Sequence, residues 1–547
     1  MMVQRTRTIL IVYACLSAVY LLFLPYALPG GDDWAFFQMY SQAREGGIRY
    51  ALHYTRHLLD NTFWGQFRFF WVSFVPNYLL SAVADFAGWP YFLLAWLIHL
   101  LTAVLLCRLV SLLTGDAWVG FAAGAVFAVF PAANHVLFTP FANYYYMLLA
   151  LAAWFYLTWK KLAVSNDYRY RWKDFALLLP VVFTGEQILP AMALLPGPTF
   201  WLFGRREERR RFLRFWICHL AVMAAVLVLY TLLINRVPIR QTVGDRYVSS
   251  GPWSLRPFHV FLVGSLGLHP KFAGWRAELR PEPALFGLLT LAAVAFFWGR
   301  RRSNEKRPAA PLGELLLWSV AGVALTYLPV ARLTTFELRY LYVPSLFLIT
   351  AGIALVSLVK RPIGIALTFL TVCYCLCYTY FEMRQCWIPQ SRVAHSIIDA
   401  VSEAGPFRPH DVVIFSGVHG VIGMAPSFLT GASWAIDSLL EYSSKAAPIV
   451  GARDLLINDR GELSISWPEW TRPVNRNDLP HLHVFVYGSG GRFIPRSLLA
   501  LPAPDGRFQV LSLQGQSEFS DRTMTLDEIK GLPRFGEIYF PRVLARK

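Results

Sequence analysis

Two adjacent carboxylates, Asp32 and Asp33 in "LPGGDDWAFF" (28–37), follow directly on the apolar run from Ile9 to Leu28. Like charges side by side repel, so the pair invites a cation, a proton or a hydrogen-bond donor. At the point where an apolar segment leaves a bilayer, a partly desolvated carboxylate has the raised pKa that a general base needs. The plain alternatives are a solvated helix exit and an N-cap for a following helix. Glu186, in "FTGEQILPAM" (183–192), interrupts another apolar stretch; it is either a functional carboxylate or the cap of a helix break. Arg339 in "FELRYLYVPS" (336–345) stands with Arg332 and Glu337 beside two tyrosines. One such arginine would snorkel to the interface, whereas three charges together suit a phosphate or ion-pair site. His99, in "LIHLLTAVLL" (97–106), reads as a packed, hydrogen-bonded core histidine. His481 and His483 alternate along a strand-like run; without an evident third metal ligand they read as surface histidines.

The elements that must position these residues belong to a membrane protein. Of 547 residues, 56% are hydrophobic and 16% charged, and the mean hydropathy is +0.42, beyond what a soluble globular chain carries. The net charge of +17 does not indicate nucleic acid, because Lys and Arg of the first 400 residues fall mostly in short clusters between apolar runs. Cys15, Cys107, Cys218, Cys373, Cys375 and Cys377 lie inside apolar runs and only Cys386 clearly outside, so neither a disulfide framework nor a metal site is implied.

Runs of about 20 apolar residues mark spans. They fall at 8–27, 90–113, 117–135, 143–160, a broken pair within 174–203, 213–235, 283–299, 311–331, 340–359 and 362–381, about eleven in all. The basic clusters at Arg5 and Arg7, 159–173, 205–214, 299–307 and 360–362 share one side if 174–203 crosses twice as short helices broken near "TGEQ". The N-terminus is then cytoplasmic and Asp32 and Asp33 face outward. The first run is too long for a signal-peptide core and reads as a retained anchor.

Two long outward loops and a tail complete the chain. Residues 28–89 carry aromatics at near-helical spacing, as in "FWGQFRFFWVSF" (63–74), which suits interfacial helices. Residues 236–282 are basic on the side where basic residues are disfavoured, with Arg236, Arg240, Arg246, Arg256, Lys271, Arg276 and Arg280. That points to an anionic ligand such as a phosphate. From residue 382 the character changes. Strand-like "DVVIFSG" (411–417) and "HLHVFVYG" (481–488) flank a helix-like stretch at 434–446, with turns at 458–462 and 488–492. The expectation is a transmembrane module over 1–381 and a small extracytoplasmic α/β domain over 382–547.

Several stretches together resemble the GT-C superfamily of lipid-dependent glycosyltransferases. "FWGQFRFF" followed by "GWPYFLLAWLIHLLTAVLL" is similar to that family's tryptophan-glycine, arginine and "HLLNALLL"-type segment. "TGEQILPAM" resembles its "KEQG" break and "ELRYLYVPS" its "ERYLYLPS"; the last two occur together in the tetratricopeptide-bearing transmembrane O-mannosyltransferases and their bacterial relatives. The resemblance spans 8–381 and says nothing of the tail. It implies a polyprenyl-phosphate sugar donor drawn from the membrane lipid and a glycan, lipid or protein acceptor. It further implies a multi-pass protein of the bacterial inner (cytoplasmic) membrane with a periplasmic tail. Asp32 or Asp33 would be the general base or, as in some members, help to hold a divalent metal (Mg or Mn). Arg68 would match the first-loop arginine, Glu186 the acidic residue of the break, and Arg339 the arginine facing the lipid phosphate. Departures are Phe69 after Arg68 where the family has Pro, Gly185 before Glu186 where it has Lys, and Asn134 with His135 where many relatives have "HPLHTE".

Such an enzyme needs one carboxylate to relieve the acceptor oxygen of its proton and guanidinium groups to stabilise the departing phosphate. A single displacement with inversion fits, with Arg339 and the 236–282 loop on the phosphate. Retention would need a second close carboxylate, which the adjacent Asp or Glu186 could supply. The rival readings are a transporter or flippase of lipid-linked sugar, for which no matched repeats are visible, and a non-catalytic envelope assembly protein using the tail for binding.

Overall fold

The computed structural model describes residues 2–28, 71–84, 87–138, 144–182, 184–234, 312–327, 341–405, 407–408, 411–417, 421–422, 425–426, 450–452, 454–458, 462–467, 470–513 and 522–543. They fall into two units, one of Met1–Pro25 with Ala43–Met383 and the other of Tyr26–Gln42 with Arg384–Lys547. Tyr26 and Ala27, read as the end of the first span, fall with Leu28 in the second of these units.

The first unit is helical. Helix α1 (Met2–Ser17) continues as a tighter 3-10 stretch over Ala18–Tyr26, followed by α2 (Trp71–Ala84), α3 (Gly88–Thr114) and α4 (Ala117–Phe127). The tight α3 to α4 connection follows from two residues. Gly115 takes the left-handed conformation at φ 70° and donates back to Ser111, and Asp116 caps α4 by accepting from the Trp118 N–H at 2.7 Å. Gly120 and Gly124, one turn apart on α4, let the helices close up. A Cβ at Gly120 would stand 2.3 Å from the Cys107 carbonyl oxygen on α3, and one at Gly124 2.3 Å from the Tyr13 hydroxyl on α1. Small residues in this spacing are how helices approach in lipid, where there is no hydrophobic drive between them.

Beyond α4, Pro131 cannot continue the helix. A 3-10 turn (Pro131–Ala133) and a short α5 (Asn134–Leu137) carry on at 45° to α4. Next come α6 (Tyr144–Ala163), α7 (Trp172–Val182), a 3-10 turn (Glu186–Ile188), α8 (Leu189–Leu194), α9 (Pro196–Phe203) and α10 (Arg209–Ile234). The chain is thus broken at "TGEQ", inside the stretch read as a broken pair. After it stand α11 (Leu312–Tyr327), α12 (Tyr342–Ser357) and α13 (Arg361–Glu382). Among the described residues four helices are long and apolar enough to cross a membrane, or five if the bent pair around Pro131 is one span. The larger number expected is not reached among them. Helices α11 and α12 have 16 residues each, about 24 Å of helix against a hydrocarbon core of about 30 Å, and the run at 283–299 lies outside the described residues.

A π-helical turn (Met383–Trp387) leads into α14 (Ile388–Ala404) of the second unit. Strand β1 (Val412–Ser416) is followed by the short pair β2 (Val421–Ile422) and β3 (Ala425–Pro426), then β4 (Val450–Ala452), β5 (Asp454–Ile457), β6 (Leu463–Trp467) and β7 (Trp470–Val474). After them come β8 (Leu482–Tyr487), β9 (Phe493–Arg496), β10 (Leu498–Pro502), β11 (Phe508–Ser512), β12 (Arg522–Met524), the short α15 (Leu526–Lys530), β13 (Ile538–Tyr539) and β14 (Arg542–Val543). They form three four-stranded sheets, ordered β4-β1-β8-β9, β14-β5-β6-β7 and β12-β11-β10-β13, besides the β2-β3 pair. Both expected strands are present as β1 and β8, parallel and in register Val412↔Leu482. The tail, expected as a small α/β domain, is a mixed β-sheet region with helix α14 packed against it. Strands of two to five residues are too short to show an alternation of their own. The helix-like stretch at 434–446 lies outside the described residues. Val393, Ala394, Ile397 and Val401 of α14 pack with Val413, Ile414, Phe415, Val484 and Phe485 to make the core.

Candidate functional site

The bend at Pro131 sets up a buried polar cluster in the first unit. Ending α4 at Phe127 frees the Ala128 carbonyl from a helical donor, while the Phe130 carbonyl takes the Ala133 N–H at 2.9 Å and still offers a second lone pair; in an apolar interior such acceptors draw side-chain donors. His99 Nε2 lies 3.3 Å from the Ala128 oxygen and the Tyr20 hydroxyl 3.4 Å from the Phe130 oxygen. A carbonyl only accepts, so the His99 proton sits on Nε2, and Nδ1 is left to accept from the Tyr342 hydroxyl at 2.7 Å. His99 is the packed, hydrogen-bonded core histidine expected from the sequence.

Just beyond the bend, α5 meets the end of α13. Asn134 Nδ2 donates to Glu382 Oε2 at 2.5 Å, and Asn134 Oδ1 accepts from the Thr379 hydroxyl at 3.2 Å. His135 Nε2 stands 3.1 Å from Glu382 Oε1. Both oxygens of the Glu382 carboxylate, only 1% exposed, are therefore engaged, which is the condition for keeping a carboxylate out of water. Glu382 was missed in the sequence, where the last span closes at residue 381. The signal was a single acidic residue ending an otherwise apolar helix, opposite the unusual "NH" after the only proline of its segment.

The "TGEQ" break is held from another side. Gln187, buried, donates to the Thr326 carbonyl at 3.1 Å. Thr326 is in the last turn of α11, where carbonyls lack helical donors. Gly185, which replaces the lysine of the resembled motif, is packed so that a Cβ would come 2.0 Å from Met147 Sδ. Glu186 opens the 3-10 turn, and its backbone alone is described.

The remaining sequence candidates, Asp32, Asp33, Arg68, Arg240, Arg246, Arg332, Glu337 and Arg339, lie outside the described residues. Among the described residues no group of three or more His, Cys, Asp or Glu side chains is arranged to hold a metal ion. Asp32 and Asp33, the pair through which a divalent metal would be held, are not among them.

No protein-family model matches this chain, and no curated protein matches it significantly.

The second unit holds a constellation of its own. Asp411, just before β1, accepts from His481 Nδ1 and His483 Nε2, each at 3.0 Å, and from the Arg408 N–H at 2.7 Å. The parallel register explains the meeting. Leu482 pairs with Val412, so residues 481 and 483 flank the start of β1 from the neighbouring strand. Burial works to raise the pKa of the Asp411 carboxyl. The Arg408 N–H and both imidazoles outweigh it and hold the group below the ordinary carboxylate range. Burial pushes the His483 imidazole below its ordinary value, against the pull of Asp411. His481 is a surface histidine as expected, but His483 is not: its side chain is 15% exposed, and the edge of its ring meets Phe407. Asp411 explains the alternating histidines as a hydrogen-bonded bracket.

Proposed function

We propose that this chain is an integral-membrane glycosyltransferase of the GT-C type. It moves a sugar from a polyprenyl-phosphate donor to an acceptor on the outer face of the membrane. The observation that carries the reading is the contact of His99 with Tyr342. These residues come from "LIHLLTAVLL" and "ELRYLYVPS", two of the stretches on which the resemblance rests, and they meet across 243 residues. Gln187 of "TGEQ" bonds to α11, the helix preceding the segment that holds Arg332 and Arg339. Motifs that recur for a shared architecture should pack together in this way, whereas chance similarities have no reason to. Orientation follows the basic clusters: N-terminus cytoplasmic, first loop and tail outward.

In the proposed reaction Asp33 or Asp32 takes the proton of the acceptor hydroxyl as its oxygen forms a bond to the anomeric carbon. The bond from that carbon to the phosphate oxygen breaks, and its electron pair leaves with polyprenyl phosphate. Arg339, with Arg332, Arg68, Arg240 and Arg246, offsets the charge growing on that leaving group without protonating it. Displacement in one step inverts the anomeric centre. No step runs through a metal.

The test is turnover. Purified protein in nanodiscs is offered a panel of polyprenyl-phosphate sugars with extracted envelope acceptors, and release of polyprenyl phosphate is followed. Release that Asp32→Asn or Asp33→Asn abolishes, with donor binding retained, supports the reading. Binding of a donor that is never turned over, with both variants preserving the cellular phenotype, overturns it in favour of lipid-linked sugar transport.

A further inference from the structure

Four helix ends of the first unit come together: the ends of α6 and α9 and the starts of α7 and α10. Lys161, in the last turn of α6, bonds Asp174 in the first turn of α7 at 2.6 Å and lies over the ring of Phe215 in α10. Tyr168 and Tyr170, between α6 and α7, set their rings against Phe200 of α9 and Phe215 of α10. Phe200 in turn stacks on Phe212 at 4.1 Å. The basic stretches 159–173 and 205–214, separate in the sequence, therefore form a single surface. Most of its acids already hold a cation: Asp167 pairs with Arg171, Asp174 with Lys161 and Glu208 with Arg211, which leaves the exposed Glu207. Arg169, Lys173, Arg205, Arg209, Arg210 and Arg214 are exposed and have no acidic partner among the described residues. Arginine is moreover the wrong sign for the first turn of a helix, yet α10 opens on Arg209, Arg210 and Arg211. Charge that only set the orientation could stand anywhere in the loops.

Beside these charges the surface is apolar and open. Trp172 and Trp201 are 74% and 69% exposed, and the Arg209 guanidinium lies 4.1 Å from the centre of the Trp201 ring. Exposed tryptophan next to basic side chains is the composition of a membrane–water boundary, where one end of the ring is wet and the other apolar. On α10, Arg210, Leu213, Arg214 and Ile217 recur at the three- and four-residue spacing of one helix face, and all four are exposed. Within two turns that face passes from guanidinium to uncovered apolar side chain, at the start of a helix long and apolar enough to cross a membrane. A soluble anion would use only the guanidinium groups of such a face, whereas a charged lipid would use both parts of it.

We infer that this surface binds anionic phospholipid, with the phosphodiester against Arg205, Arg209, Arg210 and Arg214 and the acyl chains along Leu213 and Ile217. The inference rests on the long apolar helices and stands apart from the glycosyltransferase reading. A guanidinium suits the phosphate because its N–H groups meet two oxygens at once. The ring of Trp201 holds one such guanidinium at the boundary, so that less freedom is lost when the lipid arrives. Each basic residue at an anionic membrane surface strengthens the attachment about 5-fold.

The test titrates the purified full chain in detergent micelles with phosphatidylglycerol and follows bound lipid by native mass spectrometry. Two triple variants accompany the wild type, Arg209→Gln with Arg210→Gln and Arg214→Gln, and the same three positions changed to Lys. Wild type is expected to bind phosphatidylglycerol about 10-fold more tightly than phosphatidylcholine of the same chain length. The Gln variant is expected to lose about 100-fold in phosphatidylglycerol affinity, and the Lys variant, which keeps the charge, to stay within about 5-fold of wild type. Wild-type binding should also weaken as salt is raised to about 1 M, where screening acts within about 3 Å; this arm does not depend on how any variant folds. Equal affinity in wild type and the Gln variant overturns the inference, as do equal binding of phosphatidylcholine and binding indifferent to salt. Displacement of phosphatidylglycerol by an equal concentration of glycerol 3-phosphate overturns it too, since the surface would then serve a free phosphate ester and not a lipid. Turnover of a sugar donor enters none of these readings, so the inference and the glycosyltransferase reading fail separately.

Discussion

Asn134 and Glu382, 248 residues apart, are joined by a hydrogen bond of 2.5 Å from the Asn134 amide to the carboxylate. The bond closes the helical unit on itself, because Asn134 follows the bend at Pro131 and Glu382 is the last residue of α13. The amide is fixed from both ends, giving its N–H to Glu382 and taking the Thr379 hydroxyl on its oxygen. A hydrophobic replacement there would have no means of choosing between neighbouring registers of α13.

Removing one member of such a buried group should therefore be costly. Glu382→Ala leaves the Asn134 amide without its acceptor and His135 Nε2 facing a vacated site, and is expected to cost about 3–5 kcal/mol. Glu382→Gln keeps an acceptor for one of them and should cost about half as much. Thermal unfolding of the two variants in nanodiscs checks the order, and equal midpoints would show that the carboxylate is not what the cluster depends on.

The His99 and Tyr342 contact should behave as a coupled pair. Tyr342→Phe removes the donor to His99 Nδ1, and His99→Phe removes that acceptor along with the donor to the Ala128 carbonyl. A double-mutant cycle is expected to return a coupling of about 0.5–1.5 kcal/mol. Strict additivity would mean that the two stretches sit side by side without supporting each other.

Close approach of α3 and α4 at Gly120 makes a third expectation. The nearest atom to an added Cβ besides the Ser111 hydroxyl is the Cys107 backbone carbonyl, which cannot rotate away as a side chain can. Gly120→Ala is expected to destabilise the protein by about 1–3 kcal/mol through overpacking. Gly313→Ala, where nothing lies within 4 Å of the added atom, is the matched control and should leave the unfolding midpoint in place.

How far the sequence discloses this architecture depends on the length over which each signal extends. The long apolar runs at 8–27 and 90–113 and the break at "TGEQ" stand out because 20 residues of hydropathy, or one acidic residue inside them, are visible locally. Strands β1 and β8 stand out for the same reason, as runs of Val, Ile and Phe. Glu382 does not, because its significance comes from Asn134 and His135, which fold back to it from the far side of the unit. Asp411 is hidden likewise: "PHDVV" reads as a strand start, and only the parallel pairing of β1 with β8 brings it between His481 and His483. The most distant link, Ser391 to Tyr26, leaves no local trace at all.

For the proposed chemistry, the acidic pair and the arginines should separate in kinetics. Asp32→Asn or Asp33→Asn, whichever removes the base, is expected to lower kcat about 100- to 10,000-fold with the donor KM little changed. Arg339→Ala is expected to lower kcat/KM by a similar factor, with a raised donor KM. Arg339→Lys should recover only part, since an ammonium cannot reproduce the two-pronged contact of a guanidinium with phosphate. Steady-state release of polyprenyl phosphate measures all of them, and an Arg339→Ala enzyme with wild-type constants would remove this residue from the phosphate site.

The bracket around Asp411 gives the tail a pH dependence whose sign is fixed. Burial lowers the folded-state pKa of His483, so the unfolded chain takes up a proton there before the folded one does. Its contribution is complete above the unfolded value of about 6.5 and is lost as pH falls through the folded value. Asp411, held low by the Arg408 N–H and the two imidazoles despite its burial, adds a second loss as pH drops below its unfolded value of about 3.9. The charged and titratable neighbours in this bracket are His481 and Arg408, and a charge gained at His481 or kept at Arg408 opposes protonation of His483. The tail's unfolding midpoint, followed by limited proteolysis of the intact protein on heating, should be level from pH 8 to 7. It should then decline below pH 6.5 and again below 4. His483→Gln keeps an N–H for Asp411 but cannot titrate, so it should remove the first decline and leave the second. A wild-type midpoint that stays constant between pH 7 and 5 would mean that His483 takes its proton as easily in the folded tail as in the unfolded chain.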